Sequence, residues 1–216
     1  MAARLAEGFL DLLFPPRCGV CGAYGSPFCS GCRALIEPPP PVTAPAQLAG
    51  VVAAGAHGGP LREAVLRLKF GARLSLAEPL GTLLAETLAA HRDDWQPDVV
   101  VPVPIHWTRQ LRRGFNQSDL LAACAAKRLA IPIARLVVRT RPTPPQVGQS
   151  AAQRAVNVRG AFAVHGRIPY RRVLLVDDVY TTGATLVACA TTLRAAGAER
   201  VNAVTVTAEP RGTVGV

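Results

Sequence analysis

Aromatic side chains make up only 5% of this 216-residue chain, so it has little material for the stacked platforms that hold single-stranded nucleic acids. Lysine is almost missing as well. Lys69 and Lys127 are the only two, and the formal charge of +10 rests on arginine in an alanine- and arginine-rich background. Such a charge points to anionic partners, whether nucleic acid, a membrane surface or a small polyanion, without choosing among them. Neither GxxxxGK[ST] nor GxGxxG occurs, which removes the P-loop and the dinucleotide-binding fingerprint. No apolar stretch reaches the roughly 18 residues of a spanning helix, so membrane insertion is not expected. The opening residues MAARLAEGFLDLLF place Leu5, Phe9, Leu12 and Leu13 at helical spacing, but Glu7 and Asp11 interrupt the apolar core that a signal peptide needs. A short amphipathic helix and a cytoplasmic location are expected.

What is present is organised around Val173 to Thr185, VLLVDDVYTTGAT. An apolar run of strand length suggests a strand buried on both faces, as in a parallel sheet. Asp177 and Asp178 would then emerge at its carboxyl end, where open α/β sheets bind ligands. Thr181, Thr182, Gly183, Ala184 and Thr185 follow, supplying hydroxyls, a flexible glycine and backbone N–H groups at a helix start, which together suit an anion. The plainer reading is an aspartate that caps the next helix or solvates a loop, and it explains one acid better than two. The stretch resembles the phosphoribosyl-pyrophosphate (PRPP) motif of type I phosphoribosyltransferases. That resemblance implies Asp177 and Asp178 on the ribose 2′- and 3′-hydroxyls and Thr181 to Thr185 around the 5′-phosphate.

Cysteine supplies the second signal. Cys18 and Cys21, then Cys29 and Cys32, form two CxxC knuckles with adjacent glycines, the pattern of a closed four-thiolate zinc site. A closed site leaves no position for substrate, so the zinc would be structural. Two disulfides or a redox pair are the rival reading. Cys124 and Cys189 each lie alone in alanine-rich helical patterns and read as small core residues. Tyr24 and Phe28 are expected to pack the miniature core. Pro38 to Pro45 read as a stiff spacer. The expected organisation is therefore residues 1–37 for the helix and knuckles, 38–48 for the linker and 49–216 for the larger domain.

From Val51 strands and helices alternate. Strands are expected over Val51 to Ala56, Val99 to Val103, near Leu136 to Arg139, from Val173, and over Val201 to Ala208. Helices are expected over Pro60 to Leu68, Ser75 to His91, Asp119 to Leu129 with Ser118 as N-cap, and up to about Gly197. The fold class is α/β, a doubly wound parallel sheet of the type I phosphoribosyltransferase kind with a small N-terminal four-cysteine domain.

Two further stretches narrow the resemblance. PVPIHWTRQLRRGFNQSDLLA gathers Arg109, Arg112 and Arg113 before Gly114, and RTRPTPPQVGQSAAQRAVNVRGAF contains Arg141, Arg154, Asn157 and Phe162. With the cysteine knuckles and the DDVYTTGAT loop they are similar, in order, to the ComF family of competence-associated phosphoribosyltransferase-like proteins. Lys69 matches that family's lysine–aromatic–glycine feature, while Ala54-Gly55-Ala56-His57 departs from the bulkier residues expected there.

The resemblance implies a pyrophosphate loop after Val103 and a hood over Arg139 to Arg159. Lys69, Arg112, Arg113, Arg141 and Arg154 are the candidates for diphosphate contacts, with Mg²⁺ brought alongside PRPP. Any single arginine can equally be a solvated basic face. His106 is given no role. Thr181 stands where purine enzymes can carry a carboxylate, which argues against a 6-oxopurine acceptor.

Two functions remain open. One is phosphoribosyl transfer from, or sensing of, PRPP. The other is a zinc-containing adaptor that meets single-stranded DNA and DNA-uptake proteins. A scaffold with a vestigial pocket is the bland third.

Overall fold

The computed structural model describes residues 15–141, 158 and 160–210. The expected N-terminal helix therefore lies outside the described residues. Four parallel strands form the main sheet in the order β1-β6-β5-β2: β1 Gly50–Ala56, β2 Val99–Pro102, β5 Arg172–Tyr180 and β6 Arg200–Ala208. β1 and β2 are apolar throughout and β5 and β6 mostly so, because helices cover both faces. Alternate residues of β5 divide between two cores. Leu174 and Val176 join Val204 and Val206 beneath α2 (Gly59–Phe70), α3 (Ala77–Ala89) and α6 (Gln117–Leu129). Val173 and Leu175 join Val99, Val101 and Val201 beneath α7 (Ala184–Ala195). The doubly wound sheet is the one expected from the sequence.

The strand expected near Leu136 forms as β3, Val137–Arg139, but does not enter that sheet. It pairs antiparallel with β4, Phe162–Val164, which the sequence reading had not separated out. The reason lies at the outer edge of β2. Val100 N–H donates to Pro132 O at 2.8 Å, and Ala134 N–H donates to Val100 O at 3.0 Å. The chain leaving α6 thus pairs with Val100 before Val137 is reached, and β3 finds its own partner. Two short helices were likewise not anticipated, α4 (Arg92–Trp95) and α5 (Trp107–Arg113).

The segment bearing the knuckles, which includes α1 (Ser30–Ala34), packs against α2 and α3. Cys18, Phe28 and Cys32 share an apolar cluster with Leu61, Leu68 and Leu76. Arg67 donates to Gly19 O at 2.7 Å, and Arg33 ion-pairs with Glu86. Tyr24, expected in this small core, is instead 61% exposed, with the Arg17 guanidinium over its ring. Its phenol hydroxyl favours that wet position.

The proline-rich stretch runs beside β1. Ala56 N–H donates to Glu37 O at 3.0 Å, Leu48 is buried in the second core, and Val42 and Ala44 pack on that core. Prolines along an edge leave few donors for unwanted strand pairing. This also accounts for Gly55, where an added Cβ would lie 2.7 Å from both Ile36 and Leu61.

Helices α3 and α6 approach each other at Gly81, where a Cβ would fall 2.3 Å from the Cys124 Cβ. Gly81→Ala should therefore cost about 2–3 kcal/mol through overpacking and lower the thermal midpoint by roughly 4–10 °C in a melting experiment. An unchanged midpoint would show that the two helices are free to separate.

Candidate functional site

Asp177 and Asp178 sit near the carboxyl end of β5, with Asp177 opposite Thr205 of β6. Asp177 Oδ1 accepts from Ser118 Oγ at 2.9 Å and from the Asp178 backbone N–H at 2.9 Å. Asp178 is buried, and its Oδ2 lies 2.5 Å from Lys69 Nζ. Burial pushes the Asp177 carboxyl up to about 7, with help from the neighbouring Asp178 charge and against the pull of Lys69. Burial opposes ionisation of Asp178 too, but the Lys69 charge and hydrogen bond outweigh it and hold that carboxyl below its ordinary value. Two adjacent acids are thus tuned apart, one poised near neutrality and one fixed as an anion.

The sequence reading made Ser118 the N-cap of α6. The cap is Asn116, whose side chain accepts from Ser118 N–H at 3.1 Å while its Nδ2 donates to Val103 O at 3.1 Å. Asn116 anchors the helix start to β2's exit, and Ser118, one place inside, is free to orient Asp177. An Asn two residues ahead of a Ser was the signal available for this.

After β5 the chain turns through Thr181 and Thr182 to Gly183, whose φ of 77° lies in the left-handed region. A Cβ there would also lie 2.9 Å from the Tyr180 hydroxyl, so only glycine fits on both counts. Helix α7 starts directly after it with no side-chain cap. Ala184 N–H donates to Thr182 Oγ1 at 3.4 Å, and the first turn's N–H groups and positive dipole end face the turn, with the Thr181, Thr182 and Thr185 side chains partly exposed beside them.

Cations approach from the β2 flank. Arg113 on α5 is half-buried, donates to Gln117 Oε1 at 3.1 Å, stacks 4.8 Å from the Phe70 ring centre and lies within electrostatic range of Asp178. Arg109 and Arg139 are also half-buried. Burial lowers the pKa of both, and Arg139 feels the charge of Asp177. Arg112 and Arg141 are exposed. Arg154 and Asn157 lie outside the described residues. Lys69 comes from the far end of α2 and is ion-paired to Asp178. Arg139, at the start of the expected hood, was not among the diphosphate candidates because nothing in the sequence sets it apart from Arg141 two places on. His106 is buried, and its Nδ1 accepts from Thr108 N–H at the start of α5, a capping role. A cleft of about 230 Å³ opens on this flank between Pro104, Trp107, Asn116 and Arg139.

The four knuckle cysteines present sulfurs that all lie within 4.8 Å of one another. Cys18 and Cys32 are 3.7 Å apart at sulfur, and Cys21 and Cys29 are 3.5 Å apart. No disulfide links them. Sulfurs at the corners of a tetrahedron around zinc would be about 3.8 Å apart, given Zn–S bonds near 2.3 Å, so the cluster has the dimensions of a metal site. Burial opposes ionisation of Cys18, yet the backbone N–H groups of Cys29, Cys21 and Val20 bring its thiol down to about 6. Cys189 is fully buried, whereas Cys124 is partly buried at the α3–α6 contact.

Comparison with known proteins agrees with this fold. Residues 76–215 match the phosphoribosyl transferase domain. The chain is 34% identical to competence protein F of Haemophilus influenzae over 86% of its own length and 82% of that protein. It is 35% identical to the DNA utilization protein YhgH of Escherichia coli over 88% of its length and 82% of that protein. Similarity to competence protein ComFC of Bacillus subtilis is 27% over 58% of this chain and 50% of that protein. A buried acid pair at a strand end, a glycine-hinged helix start and a four-cysteine cluster thus stand on a chain that belongs to the ComF family of phosphoribosyltransferase-domain proteins.

Proposed function

We propose that the chain binds PRPP with Mg²⁺ and transfers the phosphoribosyl group, with inversion at C1, in a process connected with DNA uptake or use. The observation that carries this reading is the placement of Asp177 and Asp178 at the end of the strand that turns through the left-handed Gly183 into the start of α7, where Ala184 N–H meets Thr182 Oγ1. Two carboxylates suit adjacent hydroxyls, and N–H groups at a helix start suit a phosphate. In this reading Asp177, oriented by Ser118, and Asp178 accept from the ribose hydroxyls. Thr181 to Thr185 wrap the 5′-phosphate. Arg113 and its neighbours meet the diphosphate, and Lys69 can turn to it when Asp178 engages ribose.

The carboxylate oxygens of Asp177 and Asp178 are hard donors that fit Mg²⁺, although Lys69 already neutralises Asp178. Mg²⁺ carried on the diphosphate would supply charge neutralisation for the leaving group. The carboxylates would offset positive charge developing at C1. Zinc on Cys18, Cys21, Cys29 and Cys32 is assigned a structural role. The link to DNA comes from the relatives, which carry the names competence protein and DNA utilization protein.

Calorimetric titration of PRPP in the presence of Mg²⁺ tests the reading, with saturable one-site binding expected. No heat from folded, zinc-replete protein would reduce the acid pair to scaffold. A second reading, direct contact with single-stranded DNA, is favoured by α5. It buries none of its residues and exposes Trp107 and Leu111 beside Arg109 and Arg112. Steeply salt-dependent binding that Trp107→Ala weakens would support it.

A further inference from the structure

His57 and Thr207 make a second polar centre, on the opposite flank of Asp178 from the arginines. Strands β1 and β6 end side by side there, with Gly55 opposite Thr207 and Ala56 opposite Ala208. His57 N–H donates to Ala208 O at 2.8 Å, which fixes the residue at the strand end. Its ring Nδ1 lies 2.7 Å from Thr207 Oγ1. Thr207 Oγ1 in turn donates to the Asp178 carbonyl oxygen at 3.4 Å. A hydroxyl has one proton, so once it is directed at Asp178 O the hydroxyl can only accept from His57. In that arrangement Nδ1 carries the imidazole proton, and Nε2 is left with its lone pair.

The ring is half-buried. Burial is the largest influence on it and holds its pKa below 6.5. Arg62 and Lys69 on α2 act in the same direction, while Glu209 after β6 and Asp178 on β5 oppose them. At neutral pH the imidazole is uncharged.

This placement gains meaning from the proposed transfer, on which the inference rests. Displacement with inversion puts the incoming atom and the departing diphosphate on opposite sides of ribose C1. Arg113 and Arg139, which feel the charges of Asp178 and Asp177, come from the β2 side of β5, Lys69 sits on Asp178 itself, and β6 and β1 lie on the other side. With the ribose on Asp177 and Asp178, the acceptor enters over the ends of β6 and β1, where His57 stands.

We infer that His57 is the acceptor-side base. Its Nε2 takes the proton from an N–H or O–H nucleophile as that atom bonds to C1, while the C1–O bond breaks and its electron pair leaves with the diphosphate. Thr207 is the positioning residue that fixes the required tautomer.

The test measures two things on wild type, His57→Gln and Thr207→Val: PRPP affinity by calorimetry, and pyrophosphate release from Mg²⁺–PRPP with water or hydroxylamine as the probe nucleophile. His57→Gln should bind PRPP as wild type does but release pyrophosphate roughly 100-fold more slowly. At saturating PRPP, where ionisation of Asp177 no longer limits binding, it should also lose the fall in rate that wild type shows as pH drops through the depressed His57 pKa. Thr207→Val should keep that acid limb but shift it, with an intermediate rate. Unchanged rate and pH profile in His57→Gln, with PRPP still bound, would overturn the inference and leave the transferase reading standing. Wild type that binds PRPP but releases no pyrophosphate to either probe counts against it as well. Wild type that binds no PRPP removes the transferase reading first, and this inference with it.

Discussion

Asp177→Asn and Asp178→Asn should each weaken PRPP binding at least about 100-fold, yet move stability in opposite directions. A ribose hydroxyl bonded to an ionised carboxylate loses on the order of 3 kcal/mol when the acceptor becomes a neutral amide in a shielded site. The stability effects follow from the two titrations. Asp177 has a folded-state pKa near 7, raised from 3.8. Between those values the folded chain holds more protons than the unfolded one, so stability falls as pH rises from about 4 to about 7 and stays low above that. Asp177→Asn removes this burden. It should raise the melting temperature at pH 8 by about 5 °C, on the order of 2 kcal/mol, while changing little at pH 4.

Asp178 behaves in the reverse sense. Its pKa is depressed, so its contribution is present above the unfolded value of 3.8 and lost as pH falls through the folded one. Asp178→Asn strands Lys69, whose side chain is only 21% exposed. The loss should be about 3 kcal/mol, a drop of roughly 6–12 °C at pH 7. Melting curves of both variants at pH 4 and pH 8 are sufficient to check this. Equal effects of the two substitutions would mean that the acids share one environment, contrary to the contacts of Ser118 and Lys69. PRPP affinity should also climb from pH 6 to pH 8 as Asp177 ionises, and that rise should be much reduced in Asp177→Asn. A stabilising change that removes binding is the signature of a site kept under electrostatic strain for function.

Much of this arrangement was legible in the sequence because it is local. The apolar run before Asp177, the small-residue turn at Gly183 and the paired CxxC spacing each put their chemistry within a few residues of one another. What was not legible depends on which strands and helices become neighbours. Ser118 reaches Asp177 across 59 positions and His57 reaches Thr207 across 150, and neither pair leaves a periodic trace. The fate of β3 was hidden for the same reason. Its sequence is strand-like, but whether it joins the main sheet depends on the edge of β2 being taken by Pro132 and Ala134. Lys69 was recognised from its lysine–aromatic–glycine setting as a residue for anions, and its ion pair with Asp178 emerges only from the packing of α2 over β6 and β1.

Removing metal from the four-cysteine cluster should destabilise the whole chain, beyond the knuckles themselves. Protein purified without added zinc should carry about one equivalent, and a strong chelator should release it with four newly reactive thiols. The cluster is an integral part of the packing against α2 and α3. Phe28, Cys18 and Cys32 belong to the same apolar cluster as Leu61, Leu68 and Leu76, and Gly19 is in close contact with Leu76. Loss of Phe28 burial alone is worth about 2–3 kcal/mol, and the Arg67 bond to Gly19 O adds about 1 kcal/mol. The melting temperature should fall by about 10 °C on chelation. Cys29→Ser should reproduce the effect, whereas Cys124→Ser, in the α3–α6 contact, should leave metal content unchanged. Two separate melting transitions, with the upper one unmoved, would mean that residues 15–37 unfold as an independent unit. Metal-free protein that keeps its melting temperature with four free thiols would remove the metal assignment. A single lowered transition is the expected result, because the helices that the knuckles rest on are those that carry Lys69 and cover the β5 core leading to Asp178. The thiolate cluster, far from the acids in sequence, then holds Lys69 in place beside Asp178, and chelation should weaken PRPP binding even though no cysteine touches the site.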